Sequence, residues 1–198
     1  MRPLISRRHF IAASLCACGT PALSTARRYQ LITAVSAINF AFLLNGTTQQ
    51  GTLPVQSANI QIDVDRLKES SAEVTADVTQ ARTGFVLMTQ ALLSPAVLDA
   101  TTYPTVHFRS TDITLGRTGR ISEGAKIEGL LTLRGVTHPI ILSARVSRPA
   151  GTPSDALERL SVQLTGEISR TRFGAAGYPA LVADAVALDI RAELSATT

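Results

Sequence analysis

The stretch Gly129-Leu-Leu-Thr-Leu-Arg-Gly-Val-Thr-His-Pro-Ile140 places two apolar runs on either side of a glycine. Leu131 and Leu133 alternate with polar residues before Gly135, and the apolar period of two resumes at Ile140. Glycine readily adopts the positive φ that a tight reversal of the chain requires. The stretch therefore predicts two antiparallel strands joined by a short turn.

The same period of two recurs along most of the chain after Tyr29, most clearly between Leu160 and Ser169. Such segments are separated by Gly, Pro, Asn and Ser clusters, and about eight of them can be distinguished. They predict a mainly β protein in which antiparallel strands form a closed barrel or a sandwich.

Residues 83–93 depart from the period of two. Phe85, Met88 and Leu92 recur at helical spacing, and Ser94 with Pro95 follows directly. A residue before proline disfavours the helical conformation, so a helix ends at this point. The pattern predicts one short helix at about residues 84–94.

The apolar face of the predicted strands suits either a solid core or a cavity. An eight-stranded barrel has about the size at which side chains just fill the interior or leave room for one small ligand. The pattern leaves both possibilities open. The strand residues assigned to this interior face include Ile38, Phe40, Phe42, Leu44, Val106, Phe108, Leu131, Leu133, Val162, Leu164 and Phe173.

The formal net charge of +4 belongs mainly to the start of the chain. Arg2, Arg7 and Arg8 lie in the first 26 residues, which contain no Asp or Glu, and the remainder is nearly neutral. Aromatic residues make up only 5% of the chain. Without a basic surface and stacking aromatics, nucleic-acid binding is excluded.

Residues 27–198 contain few groups suited to catalysis or metal binding. They include two histidines, His107 and His138, and no cysteine. One histidine alternates with apolar residues on a predicted strand and the other precedes a turn proline, which are ordinary structural positions. We therefore expect no catalytic residue and no metal site.

The first 26 residues have the layout of an export signal, with a basic start, an apolar run and a small-residue stretch that ends at Ala26. Residues 6–11, Ser-Arg-Arg-His-Phe-Ile, resemble a twin-arginine signal, and an ordinary secretory signal is the alternative. We predict two parts, an export signal at 1–26 and a β-barrel domain at 27–198, with the periplasm as destination.

A lipid anchor is a further alternative for this segment. Residues 15–18, Leu-Cys-Ala-Cys, resemble a lipoprotein box in which Cys18 would be acylated. Cleavage after Ala26 would instead leave a protein without cysteine.

Several motifs resemble the YceI-like family and occur in its order. They comprise the stretch 129–140, the segment 93–110 that follows the predicted helix, the Arg-x-x-Phe-Gly element within 168–174 and the closing strand 182–194. The resemblance extends over roughly Tyr29 to Leu194, and several ordered motifs are more specific than any one of them.

The resemblance implies a lipocalin-like barrel with its helix near the mouth, which binds and carries a long isoprenoid lipid such as a quinone or a polyprenyl lipid and has no other cofactor. Two polar sites of the family are replaced here by Val35-Ser36 and by the stretch 88–92. The implied lining of the barrel is Ile38, Phe40, Phe42, Phe85, Met88, Leu92, Val106, Phe108, Leu131, Leu133, Val162, Leu164 and Phe173.

Arg170 is the family position that suits a ligand head group, because a guanidinium can pair with a diphosphate or quinone oxygen. Alternatively, this arginine bonds strand carbonyls and holds the turn between Gly174 and Gly177. An alternative to the carrier function is a barrel with a filled core, anchored through Cys18, that serves a stress response or a membrane cytochrome partner.

Overall fold

The computed structural model describes residues 26–63, 66–116, 123–148, 151–153 and 156–197. The predicted export signal and Cys18 lie outside these residues. The described part contains one α-helix, α1 (Val86–Leu93), and short 3-10 turns at Thr33–Val35, Leu67–Glu69, Val78–Gln80 and Thr171–Phe173. Its strands are β1 (Arg27–Leu31), β2 (Ala37–Leu44), β3 (Thr47–Leu53), β4 (Val55–Ile62), β5 (Ser71–Asp77), β6 (Arg82–Thr83), β7 (Thr105–Leu115), β8 (Ala125–Leu133), β9 (Val136–Ser147), β10 (Arg159–Ser169) and β11 (Val182–Ala196).

The strands form a closed antiparallel barrel. β1 and β2 are two halves of one bent strand, and β3 and β4 are two halves of another, interrupted at Pro54. With each bent strand counted once, eight strands follow one another around the ring, and β11 closes it by pairing with β1 and β2. The two-residue β6 pairs only with β3. The prediction of a mainly β, eight-stranded barrel with one helix is confirmed.

The predicted hairpin in the stretch 129–140 is present. β8 and β9 pair from Ala125 opposite Ala144 to Leu133 opposite Val136. Arg134 and Gly135, at φ 51° and 73°, make the two-residue turn between them. Two left-handed residues match the twist of the flanking strands, as hairpins of this length require.

The helix also lies where the spacing predicts it. Phe85 is extended at φ −132° and ψ 141°, so α1 begins at Val86 and the phenylalanine is not helical. Ser94 is extended as well because Pro95 follows it, and the helix therefore ends at Leu93.

The connections between strands separate the two ends of the barrel. One end, here called the helix end, carries α1, the turns Asn45–Gly46 and Arg134–Gly135, and the connection 170–181. Backbone hydrogen bonds join parts of this end, because Gly177 N donates to Ala96 O and Asn45 N donates to Leu181 O, each at 2.8 Å. The opposite end carries the connection from β4 to β5 and both the start of β1 and the end of β11.

Candidate functional site

The interior of the barrel contains a cavity of about 580 Å³. Its wall extends from Leu87 and Tyr178 at the helix end to Leu67 and Leu115 at the opposite end. Because strand side chains alternate between the two faces of a sheet, the long strands contribute alternate residues to this wall, such as Ile38, Phe40 and Phe42 of β2. The cavity volume lies within the roughly 300–1,000 Å³ typical of ligand pockets.

Many inward side chains are incompletely buried although they face the middle of the protein. Phe40, Phe108 and Leu164 are examples of such partly exposed residues on three different strands. Close-packed cores leave few voids larger than one water molecule. The barrel is therefore hollow, and the solid-core alternative does not describe most of its interior.

The cavity wall includes most of the lining predicted from the sequence. The residues placed on the wall are Ile38, Phe40, Phe42, Met88, Leu92, Val106, Phe108, Leu131, Leu133, Val162 and Leu164.

Phe85 and Phe173 do not line the cavity. Phe85 precedes the helix, and its side chain is 65% exposed on the outside. Phe173 is only 2% exposed and packs among the buried core residues of β8 and β9, including Leu131 and Leu142. It lies in a 3-10 turn, where the strand period of two no longer determines which way a side chain points.

Phe173 fills a gap in the barrel wall. The pairing of β9 with β10 ends at Leu142 opposite Gly166, so the remaining residues of both strands separate toward the helix end. Here the rings of Phe173 and His138 pack edge to face with centroids 5.2 Å apart. His138 Nε2 also lies 2.9 Å from Arg172 O. The histidine of the quoted stretch thus helps to hold this closure.

Two glycines determine where aromatic rings lie in the cavity. A Cβ added to Gly51 would lie 2.2 Å from Cζ of Phe40, and one added to Gly129 would lie 2.4 Å from Cε2 of Phe108. Each ring therefore rests directly on the glycine of a neighbouring strand. The rings lie along the wall, which leaves the middle of the barrel open.

Two serine hydroxyls on the cavity wall, those of Ser36 and Ser110, are engaged by the protein's own backbone. Ser36 Oγ donates to Ile32 O at 2.8 Å and accepts from Glu193 N at 3.0 Å. Ser110 Oγ accepts from Ala72 N at 2.9 Å. These contacts leave the wall apolar in character.

Arg170 is 6% exposed and lies on the wall at the helix end. Its Nε donates to Ala183 O at 3.0 Å and its Nη2 to Val182 O at 2.9 Å. Its Nη1 donates to Gly177 O at 2.8 Å and also to Ala175 O. Four of the five guanidinium N–H groups thus bind carbonyls of the following turn and of β11. This matches the alternative in which the arginine bonds strand carbonyls and holds the turn between Gly174 and Gly177.

Asp184 reinforces the same connection. Hydrogen bonds from the hydroxyls of Ser169 and Thr171 and from the Thr171 N–H lower the pKa of Asp184 to about 2. The Thr171 hydroxyl lies 2.6 Å from Asp184 Oδ1. The start of β11 is therefore tied to the end of β10 on both sides of Arg170.

The mouth of the cavity lies at the helix end. Leu87, Tyr178 and Leu181 line the cavity and are also exposed on the outside. The strand period does not single out these residues, because Leu87 lies in α1 and Tyr178 and Leu181 lie in the connection between β10 and β11. For Tyr178 and Leu181, the signal in the sequence is a large apolar residue in a segment between two predicted strands.

The two positions at which the resemblance implies polar sites are apolar or engaged in this chain. Val35 is exposed, Ser36 is bonded as described, and Met88, Ala91 and Leu92 face the cavity from α1. Among the residues that the structure describes, no group of three His, Cys, Asp or Glu side chains is placed to bind a metal ion. The described chain also has no helix of sufficient length and hydropathy to cross a bilayer.

The model of the YceI-like domain matches residues 29–194. The chain belongs to the YceI-like family. Among curated proteins, none matches this YceI-like chain.

Solved structures share its fold at low sequence identity. Burkholderia cenocepacia BcnA is 19% identical with a TM-score of 0.71, over 83% of this chain and 99% of that one. A polyisoprenoid binding domain from Saccharophagus degradans is 16% identical with a TM-score of 0.62, over 86% and 99%. The YCEI protein of Campylobacter jejuni is 24% identical with a TM-score of 0.58, over 75% and 84%.

Proposed function

We propose that this YceI-like protein binds and carries a lipid with a long isoprenoid chain, of the quinone or polyprenyl type. The observation that carries the proposal is the apolar cavity of about 580 Å³ that extends along the barrel and opens at the helix end. The similarity in fold to a polyisoprenoid binding domain supports the same ligand class.

Removal of the isoprenoid chain from water would provide most of the binding free energy. Each buried methylene contributes about 0.8 kcal/mol, so ten carbons would contribute about 8 kcal/mol before the cost of ordering the ligand. The wall needs few polar groups for this purpose, and the hydroxyls of Ser36 and Ser110 are already bonded to backbone atoms. Arg170 retains one N–H beyond its four carbonyl bonds and remains the proposed head-group contact.

The proposal includes no catalytic step. His107 lies on the outer face of β7, and His138 is held between Phe173 and Arg172 O. Neither histidine lines the cavity, and acid–base catalysis requires a group within hydrogen-bonding reach of the substrate.

A cavity-filling substitution tests the carrier function. Ala58 of β4 lies on the wall and is only half-buried, so the cavity has room for a larger side chain there. We expect Ala58→Phe to weaken uptake of a detergent-solubilised quinone at least tenfold, measured by quenching of a fluorescent competitor.

Asn59→Phe is the matched control, because Asn59 is the next residue of β4 and is exposed on the outer face. It should bind the quinone like the unmodified protein. Equal affinity of all three proteins, or no uptake by the unmodified protein after delipidation, would contradict the carrier function.

We also propose that the protein reaches the periplasm by its twin-arginine signal and is cleaved after Ala26. The support is the sequence pattern at residues 6–11 and the small residues before Ala26. Mass spectrometry of the N-terminus distinguishes this product from one acylated at Cys18.

A further inference from the structure

Exposed apolar side chains are concentrated at the helix end. Phe85, Val86 and Leu87 are consecutive and are 65%, 75% and 79% exposed. Among the described residues, most other exposed large apolar side chains also lie in or beside the connections of this end. These are Leu43, Val136, Tyr178 and Leu181, whereas Val35, Leu130 and Ile141 lie elsewhere on the barrel.

This apolar surface is continuous with the cavity wall. Leu87 belongs to the exposed triplet at the start of α1 and also lines the cavity. Tyr178 and Leu181, in the connection between β10 and β11, also line the cavity and are exposed. A ligand that leaves the cavity here passes from one apolar surface to another.

The charges around the triplet suit a lipid surface. Residues 78–98 contain no Asp or Glu, and their single charged residue is the exposed Arg82. Asp77 and Asp99 flank this stretch in the sequence. Asp77 accepts hydrogen bonds from Thr79, and Asp184 of the neighbouring connection accepts them from Thr171. Interfacial segments combine exposed apolar residues with basic ones and lack carboxylates in the same way.

We infer that the helix end docks on the surface of a lipid bilayer, with Phe85, Val86 and Leu87 inserted among the acyl chains. The occupant of the apolar surface is the bilayer itself, because the triplet is apolar and exposed, its surroundings lack free carboxylates along residues 78–98, and Leu87 borders the mouth of the cavity. Docking would allow an isoprenoid chain to enter the barrel without exposure to water. The inference rests on the proposed carrier function for its purpose and on the exposed triplet for its location.

The chain contains no tryptophan, so a single introduced tryptophan reports on one site. Phe85→Trp places the probe at the triplet, and Val35→Trp places a control probe at the bend between β1 and β2, where Val35 is 62% exposed. With vesicles of phosphatidylethanolamine and phosphatidylglycerol, we expect a blue shift of emission for Phe85→Trp and little change for Val35→Trp. An equal response from both probes, or no shift from Phe85→Trp, would overturn the docking site.

A second variant separates docking from ligand binding. Val86 is exposed and does not line the cavity, so Val86→Glu alters the surface and leaves the wall unchanged. We expect it to slow the transfer of a quinone from vesicles at least tenfold while detergent-solubilised quinone binds with unchanged affinity. Transfer at the normal rate would refute docking and leave the carrier function intact. If the unmodified protein does not bind detergent-solubilised quinone, the carrier function alone is refuted.

Discussion

Two phenylalanine rings show how single residues determine the shape of the cavity. Phe40 and Phe108 face inward, and each lies against a glycine on the adjacent strand. With any larger residue at Gly51 or Gly129, the ring would have to move toward the middle of the barrel. The open interior therefore depends on these glycines as much as on the apolar residues.

Gly129→Ala tests this dependence. The new Cβ would clash with the Phe108 ring and with Arg109 O at 2.7 Å, so we expect a loss of about 1–3 kcal/mol in the free energy of unfolding. A ring displaced into the cavity should also weaken quinone uptake. Chemical denaturation and ligand titration measure the two effects.

Gly84→Ala is the control, because a Cβ there meets no atom within 4 Å and Gly84 has no positive φ. If the two alanine variants behave alike, the contact between Gly129 and Phe108 does not determine the cavity.

At the scale of elements, the connection between β10 and β11 depends on one buried side chain. Arg170 binds carbonyls of Ala175 and Gly177 in the turn and of Val182 and Ala183 in β11. A lysine cannot reproduce this planar arrangement of donors. The connection carries Tyr178 and Leu181, so its position also determines the mouth of the cavity.

We expect Arg170→Lys to lower the free energy of unfolding by about 3 kcal/mol, because several buried carbonyls would lose their donors. Arg172→Lys is the comparison two residues away, and this exposed site should change stability by less than about 0.5 kcal/mol. Thermal and chemical unfolding measure both. A stability of Arg170→Lys close to that of the unmodified protein would show that the carbonyl bonds contribute little.

The sequence predicts the strand elements well and the connections poorly. The hairpin at 129–140 is predictable because alternation determines the inward face of a strand and Gly135 permits the turn. Phe173 and Phe85 were placed wrongly on the wall because a 3-10 turn and a helix start follow neither the strand period nor the helical period. The hollow interior also depends on distances between strands, which no pattern of residue types specifies.

At the scale of the whole molecule, the cavity leaves the empty barrel with unfilled apolar surface. A ligand that binds only the folded protein stabilises it, by about 2.7 kcal/mol at one hundred times its dissociation constant. For a domain of this size, such a gain raises the unfolding temperature by about 5–10 °C.

We therefore expect delipidated protein to melt at a lower temperature than protein reloaded with a quinone. Differential scanning calorimetry measures the difference, and Ala58→Phe should show a smaller response because its cavity is partly filled. The same melting temperature with and without the quinone would argue against a cavity ligand of this class.

The closure of the barrel has a consequence for the order of events during synthesis. Tyr29 of β1 pairs with Ala196 of β11, and β2 pairs along much of the same final strand. The ring therefore cannot close until β11 has left the ribosome. Until then β1, β2 and β10 retain open edges that invite pairing with other chains. The nascent protein is therefore exposed to aggregation until β11 is in place, and an export route for folded proteins would accept it only after that step.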